Sequence, residues 1–154
     1  MRLYSRPATL AAAIGVLALV TGSALAEDTS ATETYAEIEE MLGFVPSLFT
    51  AFPKVGIAGA WAEFKSVQLN PDTKLDAKTK ELLGLAVSAQ VPCHYCIYFH
   101  TAAAKAHGAT DEEIQETVAM AAIVRHWSTV LNGMQVDLDT FKQETDRILS
   151  GASQ

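Results

Sequence analysis

Cysteine is scarce: the 154 residues hold two, which excludes a multi-bridge disulfide scaffold and a four-cysteine zinc site. Basic residues are outnumbered, eleven Lys and Arg against eighteen Asp and Glu, for a formal net charge of −7. No basic cluster offsets that balance locally, so nucleic acid is not an expected partner. Charged residues make up only 19% against 49% hydrophobic, which excludes a disordered tail and indicates a folded chain. The length suits one compact domain and is short for two of ordinary size. No stretch shows the strict apolar–polar alternation of a half-buried strand.

What is present begins with an address. Arg2 and Arg6 give a positive start, and no charged residue follows from Pro7 to Ala26. Leu10 to Val20 is the dense apolar stretch, and Ala24-Leu25-Ala26 closes it with a small-x-small pattern ahead of Glu27 and Asp28. This is the layout of a secretory signal peptide over residues 1–26, cleaved after Ala26. The rival is an uncleaved anchor, but the eleven-residue apolar core falls short of the about 20 that a span needs. No cysteine lies near the cleavage point, so no acylated variant is expected. Removing the segment takes away two positive charges and no negative ones, turning −7 into −9. The expected product is acidic, free of the membrane, and periplasmic or secreted, where dithiols tend to be held oxidised.

The remainder reads as an all-α bundle of about six helices over residues 46–151, preceded by a lead-in segment, 27–45. Glu27 to Thr34 is polar and reads as flexible, with a short helix from Tyr35 to Leu42 ended by Gly43. Ser47 reads as a cap ahead of Leu48, and Pro53 as the first turn of a helix running to about Leu69. Asp76 caps the next helix, which ends near Gln90. Val91-Pro92 breaks the pattern, and a new helix from about Cys93 stops at Gly108. Thr110 with Glu113 has capping-box spacing and opens a helix to about Leu131, and Asp137 to Leu149 supplies the last. Leu82 to Ala89 and Val118 to Val124 are apolar nearly all round and need cover on every side, which favours a homo-oligomer over a helix simply threaded through the monomer's core.

The chemistry concentrates in Val91-Pro92-Cys93-His94-Tyr95-Cys96-Ile97-Tyr98-Phe99-His100. On a helix, positions 93, 96 and 100 share one face. Pro92 places Cys93 in the first turn, where unpaired N–H groups and the helix dipole favour a thiolate. His100 lies one turn beyond Cys96 and can accept its proton. A structural disulfide is the bland alternative, but a loop of about four residues contributes roughly 2 kcal/mol at most. Zinc would need further ligands, and the His100–His107 spacing is too wide. Haem attachment would need His where Ile97 stands, and the βαβ pattern of a thioredoxin fold is missing. Neither a metal nor another cofactor is called for. Glu81, twelve residues before Cys93 in an apolar context, reads equally as a partner for His100 or as a surface charge paired to Lys78 or Lys80. Ser88 falls on the same face of that helix. Arg125 and His126 interrupt an apolar helix and read as interface or pocket residues, and His107 as a C-terminal helix residue.

Glu81 followed by Cys93-x-x-Cys96-x-x-x-His100 resembles the alkylhydroperoxidase D-like group of the carboxymuconolactone decarboxylase family, over roughly Pro46 to Gly133. The resemblance includes the apolar helix before the motif and Gly108-Ala-Thr-Asp-Glu-Glu-Ile114 after it. It implies an all-helical, oligomeric protein and a thiol peroxidase or disulfide reductase. By that resemblance Cys96 is the peroxidatic cysteine, Cys93 the resolving one, His100 the proton acceptor and Glu81 the far end of the relay. Two departures stand out. Tyr95 occupies the place of a relay His in the best-known pattern, and His94 is turned about 100° away. An exported protein would also not meet the lipoyl group that serves the well-studied cytosolic members. Lactone decarboxylases proper lack the cysteine pair.

The expected activity is therefore reduction of a hydroperoxide substrate, with an unidentified dithiol as reductant. The rivals are an exported thiol–disulfide oxidoreductase and a non-catalytic helical assembly protein that keeps the motif inert.

Overall fold

The structure is a computed structural model in which residues 30–151 are described; the expected signal peptide, 1–26, lies outside them. Every regular element among the described residues is helical. Where the length suggests one compact domain, the chain divides into two compact units after Asn70.

The first unit carries α1 (residues 30–42), α2 (Ser47–Thr50) and α3 (Lys54–Glu63), the last continuing into a π-helical segment, Phe64–Leu69. Residues 30–34 are helical, against the expectation of a polar lead-in. The Thr34 hydroxyl donates to the Ser30 carbonyl at 2.7 Å, and Ala31 is buried in the core. A side chain bonded back to its own helix carries no polarity outward, which is why polarity misled here. Gly43 ends α1 as expected, with φ +82°, a conformation only glycine adopts cheaply. Ser47 is not a cap: Pro46 holds the N-cap position, with no side-chain hydrogen bond.

Ile38, Phe49, Ile57 and Trp61 form the core of this unit with Ala31. Phe49 meets Trp61 edge-on at 5.2 Å between centroids, and Phe64 stacks on Trp61 at 5.9 Å. Each large apolar side chain buried here contributes about 1.5–3 kcal/mol. The Trp61 indole N–H donates to Glu37 Oε2 at 3.0 Å, so its one polar atom is satisfied. Lys65 pairs with the other oxygen of Glu37 and lies over the Trp61 ring. That ammonium, with the indole N–H, holds the Glu37 carboxyl below its usual value.

The second unit carries α4 (Ala77–Gln90), α5 (His94–Ala106), α6 (Asp111–Gly133) and α7 (Leu138–Gly151). Its starts and stops fall within about two residues of those the sequence predicts. Asp76 accepts from the Thr79 N–H at 2.7 Å. Thr110 and Glu113 form the reciprocal capping box, and Gly108 sits at φ +84° after α5. α4 packs against both α5 and α6. Lys78 bonds Glu113 at 2.7 Å where α4 and α6 begin. At the other end of α4, Gln90 donates to the Ala121 carbonyl and Arg125 donates to the Gln90 carbonyl at 3.0 Å. Leu85, Ala104 and Ala121 are buried, but Leu83, Val87, Met120, Ile123, Val124 and Trp127 are exposed in the single chain.

Candidate active site

The site is built on the α4–α5 hairpin. Three residues separate the helices, so they run antiparallel, and early residues of α4 meet late residues of α5. The turn is fastened by the Cys93 N–H, which donates to the Ser88 carbonyl at 3.1 Å. Cys93 is the N-cap of α5 and not a first-turn residue as expected. Its sulfur accepts from the Cys96 N–H at 3.2 Å, taking the place of a capping oxygen. Cys96 lies inside the first turn, and the two form a disulfide with Cα atoms 5.3 Å apart.

His100 follows Cys96 by one turn, and its Nδ1 lies 2.7 Å from Glu81 Oε2. The Glu81 side chain is 6% exposed and that of His100 19%. Lys78, one of the surface partners considered for Glu81, is paired with Glu113 instead. A buried carboxylate requires a partner, and here His100 is one. With the carboxylate accepting, Nδ1 donates to it, and Nε2 is left as the ring nitrogen that can exchange a proton.

Cys93, Cys96 and His100 line one hollow of about 420 Å³, with Leu83, Val87 and Val91 as its apolar wall. Ser88 is buried beside them and donates through Oγ to the Gly84 carbonyl at 2.6 Å. The hairpin thus brings Glu81, Cys93, Cys96 and His100 into one locality, while other candidates fall elsewhere. Tyr95, in the place of the family's relay His, is 90% exposed. His107 is the C-cap of α5, at the far end from the cysteines. Arg125 and His126 line a different hollow of about 440 Å³ with Gln90 and Ala121.

Sequence reasoning passed over one site residue. A Cβ at Gly84 would lie 2.7 Å from Nε2 of His100 and closer still to Cε1 and Nδ1. The available signal was a glycine in the interior of a 14-residue helix, where it costs about 0.5–1 kcal/mol relative to alanine and so implies a packing reason.

The description of the carboxymuconolactone decarboxylase family matches residues 56–138, more than half of the chain. The chain belongs to that family. A crystal structure of the alkylhydroperoxidase AhpD core from Rhodospirillum rubrum superposes with a TM-score of 0.64 at 26% identity, covering 79% of this chain and 91% of that one. Two curated relatives are 41% identical over shorter stretches. One is uncharacterized protein 4 in the cox locus of Paracoccus denitrificans, matched over 54 residues, 35% of this chain and 49% of its own length. The other is an uncharacterized protein of Cupriavidus necator, matched over 49 residues, 32% and 43%. The match therefore spans less than half of each relative. The family membership and the all-helical AhpD-like fold agree with the resemblance carried by the motif.

Proposed function

We propose that this family member is an exported thiol-dependent peroxidase that reduces organic hydroperoxides at the Cys93–Cys96 pair. The observation that carries this reading is the shared cavity: two cysteines bonded to each other, lining the same hollow as an imidazole whose Nδ1 is held by a buried carboxylate. The fold shared with the Rhodospirillum alkylhydroperoxidase core supports it.

In the reduced enzyme, Nε2 of His100 takes the proton of Cys96, and Glu81 stabilises the resulting imidazolium. The thiolate attacks the terminal oxygen of the hydroperoxide. The O–O bond breaks, Cys96 becomes a sulfenic acid, and the departing alkoxide takes the imidazolium proton to leave as an alcohol. The Cys93 thiol attacks the sulfenic sulfur, forming the disulfide and releasing water. An external dithiol then reduces the disulfide and is itself oxidised.

The first test is direct. Reduced wild-type protein should consume an organic hydroperoxide with one equivalent of dithiol oxidised per peroxide, and Cys96→Ser should abolish it. Normal turnover by Cys96→Ser would remove the assignment.

One feature favours a second reading. The Cys93 sulfur, at the helix N-cap with the Cys96 N–H pointed at it, sits where helix-start thiolates attack disulfides in thiol–disulfide oxidoreductases. A protein that reduces or forms disulfides in other exported proteins would depend chiefly on Cys93. Faster reaction with a disulfide-bonded protein than with peroxide, lost in Cys93→Ser, would select it.

A further inference from the structure

We propose that Gly84 is a positioning residue for this centre: its missing side chain is the seat on which the His100 imidazole rests. This rests on the role given to His100 above.

Three atoms of one rigid ring, Cε1, Nδ1 and Nε2, all lie too close to the place a Gly84 Cβ would take. The ring therefore lies against the backbone of α4, at a distance no side chain at that position permits. A clash with the tip of a flexible side chain is relieved by rotation. This ring cannot rotate freely, because Nδ1 is fastened to Glu81, one turn before Gly84 on the same helix. Moving the imidazole off a Cβ breaks that hydrogen bond or lifts α5 from α4. The backbone below is itself fixed, since Ser88 Oγ donates to the Gly84 carbonyl at 2.6 Å. A Cβ at helical Gly59 or Gly133 would meet nothing within 4 Å, and one at Gly56 would meet only the edge of the Phe52 ring, closest at 2.8 Å. Glu81, Gly84 and Ser88 thus form one stripe of α4 that grips, seats and braces a single side chain of α5.

The test compares Gly84→Ala, His100→Ala, the double variant and Gly59→Ala as a propensity control, in the full reduced chain. Two signals are read: the pH dependence of Cys96 alkylation, and the low-field proton resonance of the His100 Nδ1–H held by Glu81. Gly84→Ala should extinguish the resonance and displace the alkylation profile by about one pH unit or more to the alkaline side, as His100→Ala does. Gly59→Ala should leave both unmoved. In the double variant the ring is gone and the Cβ has room, so adding Gly84→Ala to His100→Ala should leave the profile unchanged and should not lower the thermal midpoint, alanine being the better helix former. That non-additivity tests the seat even where Gly84→Ala alone fails to fold. A Gly84→Ala protein that keeps the resonance, or a double variant less stable than His100→Ala, would overturn the inference. Should His100→Ala leave alkylation unmoved while Gly84→Ala still removes the resonance, the base role fails and the seat stands.

Discussion

A buried carboxylate and an imidazole lie 2.7 Å apart, and under the proposed mechanism changing either member should be felt at the sulfurs. His100→Ala should slow alkylation of the reduced protein near neutrality and move its pH profile to the alkaline side. Glu81→Gln should do the same more weakly, because an amide holds the ring without stabilising its charge. An unchanged profile in both would detach the pair from thiol chemistry. In the first unit, Trp61 is 1% exposed and its N–H is bonded to Glu37. Trp61→Ala should cost about 3–5 kcal/mol, measured by urea unfolding. Glu81 and His100 were legible as a possible pair because an isolated acid in an apolar helix is conspicuous. Gly84 was not, because what it does depends on packing against a ring sixteen residues further along the chain, and no spacing rule reports a side chain's absence.

The helix ends of the second unit rest on polar caps, and these were readable because each cap is a local event with its own residue types. Asp76 is held below its usual value by the Thr79 backbone N–H, Asp137 by that of Thr140, and Glu113 by the Lys78 ammonium and the Thr110 N–H. A carboxyl whose folded value is lowered binds fewer protons folded than unfolded. Its contribution is therefore full above the ordinary 3.8 to 4.5 and is lost as pH falls through the folded value. Urea midpoints should drop below that range, and Asp76→Asn with Glu113→Gln should flatten the decline. Lys78 has the opposite sign: Glu113 raises it, so its contribution is full below 10.5 and lost in stronger alkali. Thr110→Ala should cost about 1 kcal/mol through the lost cap of α6. Less legible were the start of α1 at residue 30 and the π-helical turn from Phe64 to Leu69. Both depend on how neighbouring side chains pack, which periodicity does not encode.

At the scale of the molecule, the second unit leaves many large apolar side chains exposed in the single chain. Met120, Ile123, Val124 and Trp127 stand exposed on α6, as do Leu138, Phe141, Ile148 and Leu149 along one face of α7. We propose that copies of this chain cover these faces in a homo-oligomer. Light scattering should then give a mass that is a multiple of the single chain, and Val124→Glu should lower it. A monomer at micromolar concentration would remove the proposal.

The proposed centre is local in the chain. Its acid, glycine, serine, sulfurs and imidazole all fall between Glu81 and His100, on two helices and a short bend. Closing so small a segment costs little chain entropy, and contacts so near in sequence form early and quickly. A helical hairpin of this kind is a portable cassette: grafted between other supporting helices, it should bring its chemistry with it, leaving the surroundings free to diverge in what they admit and what they bind.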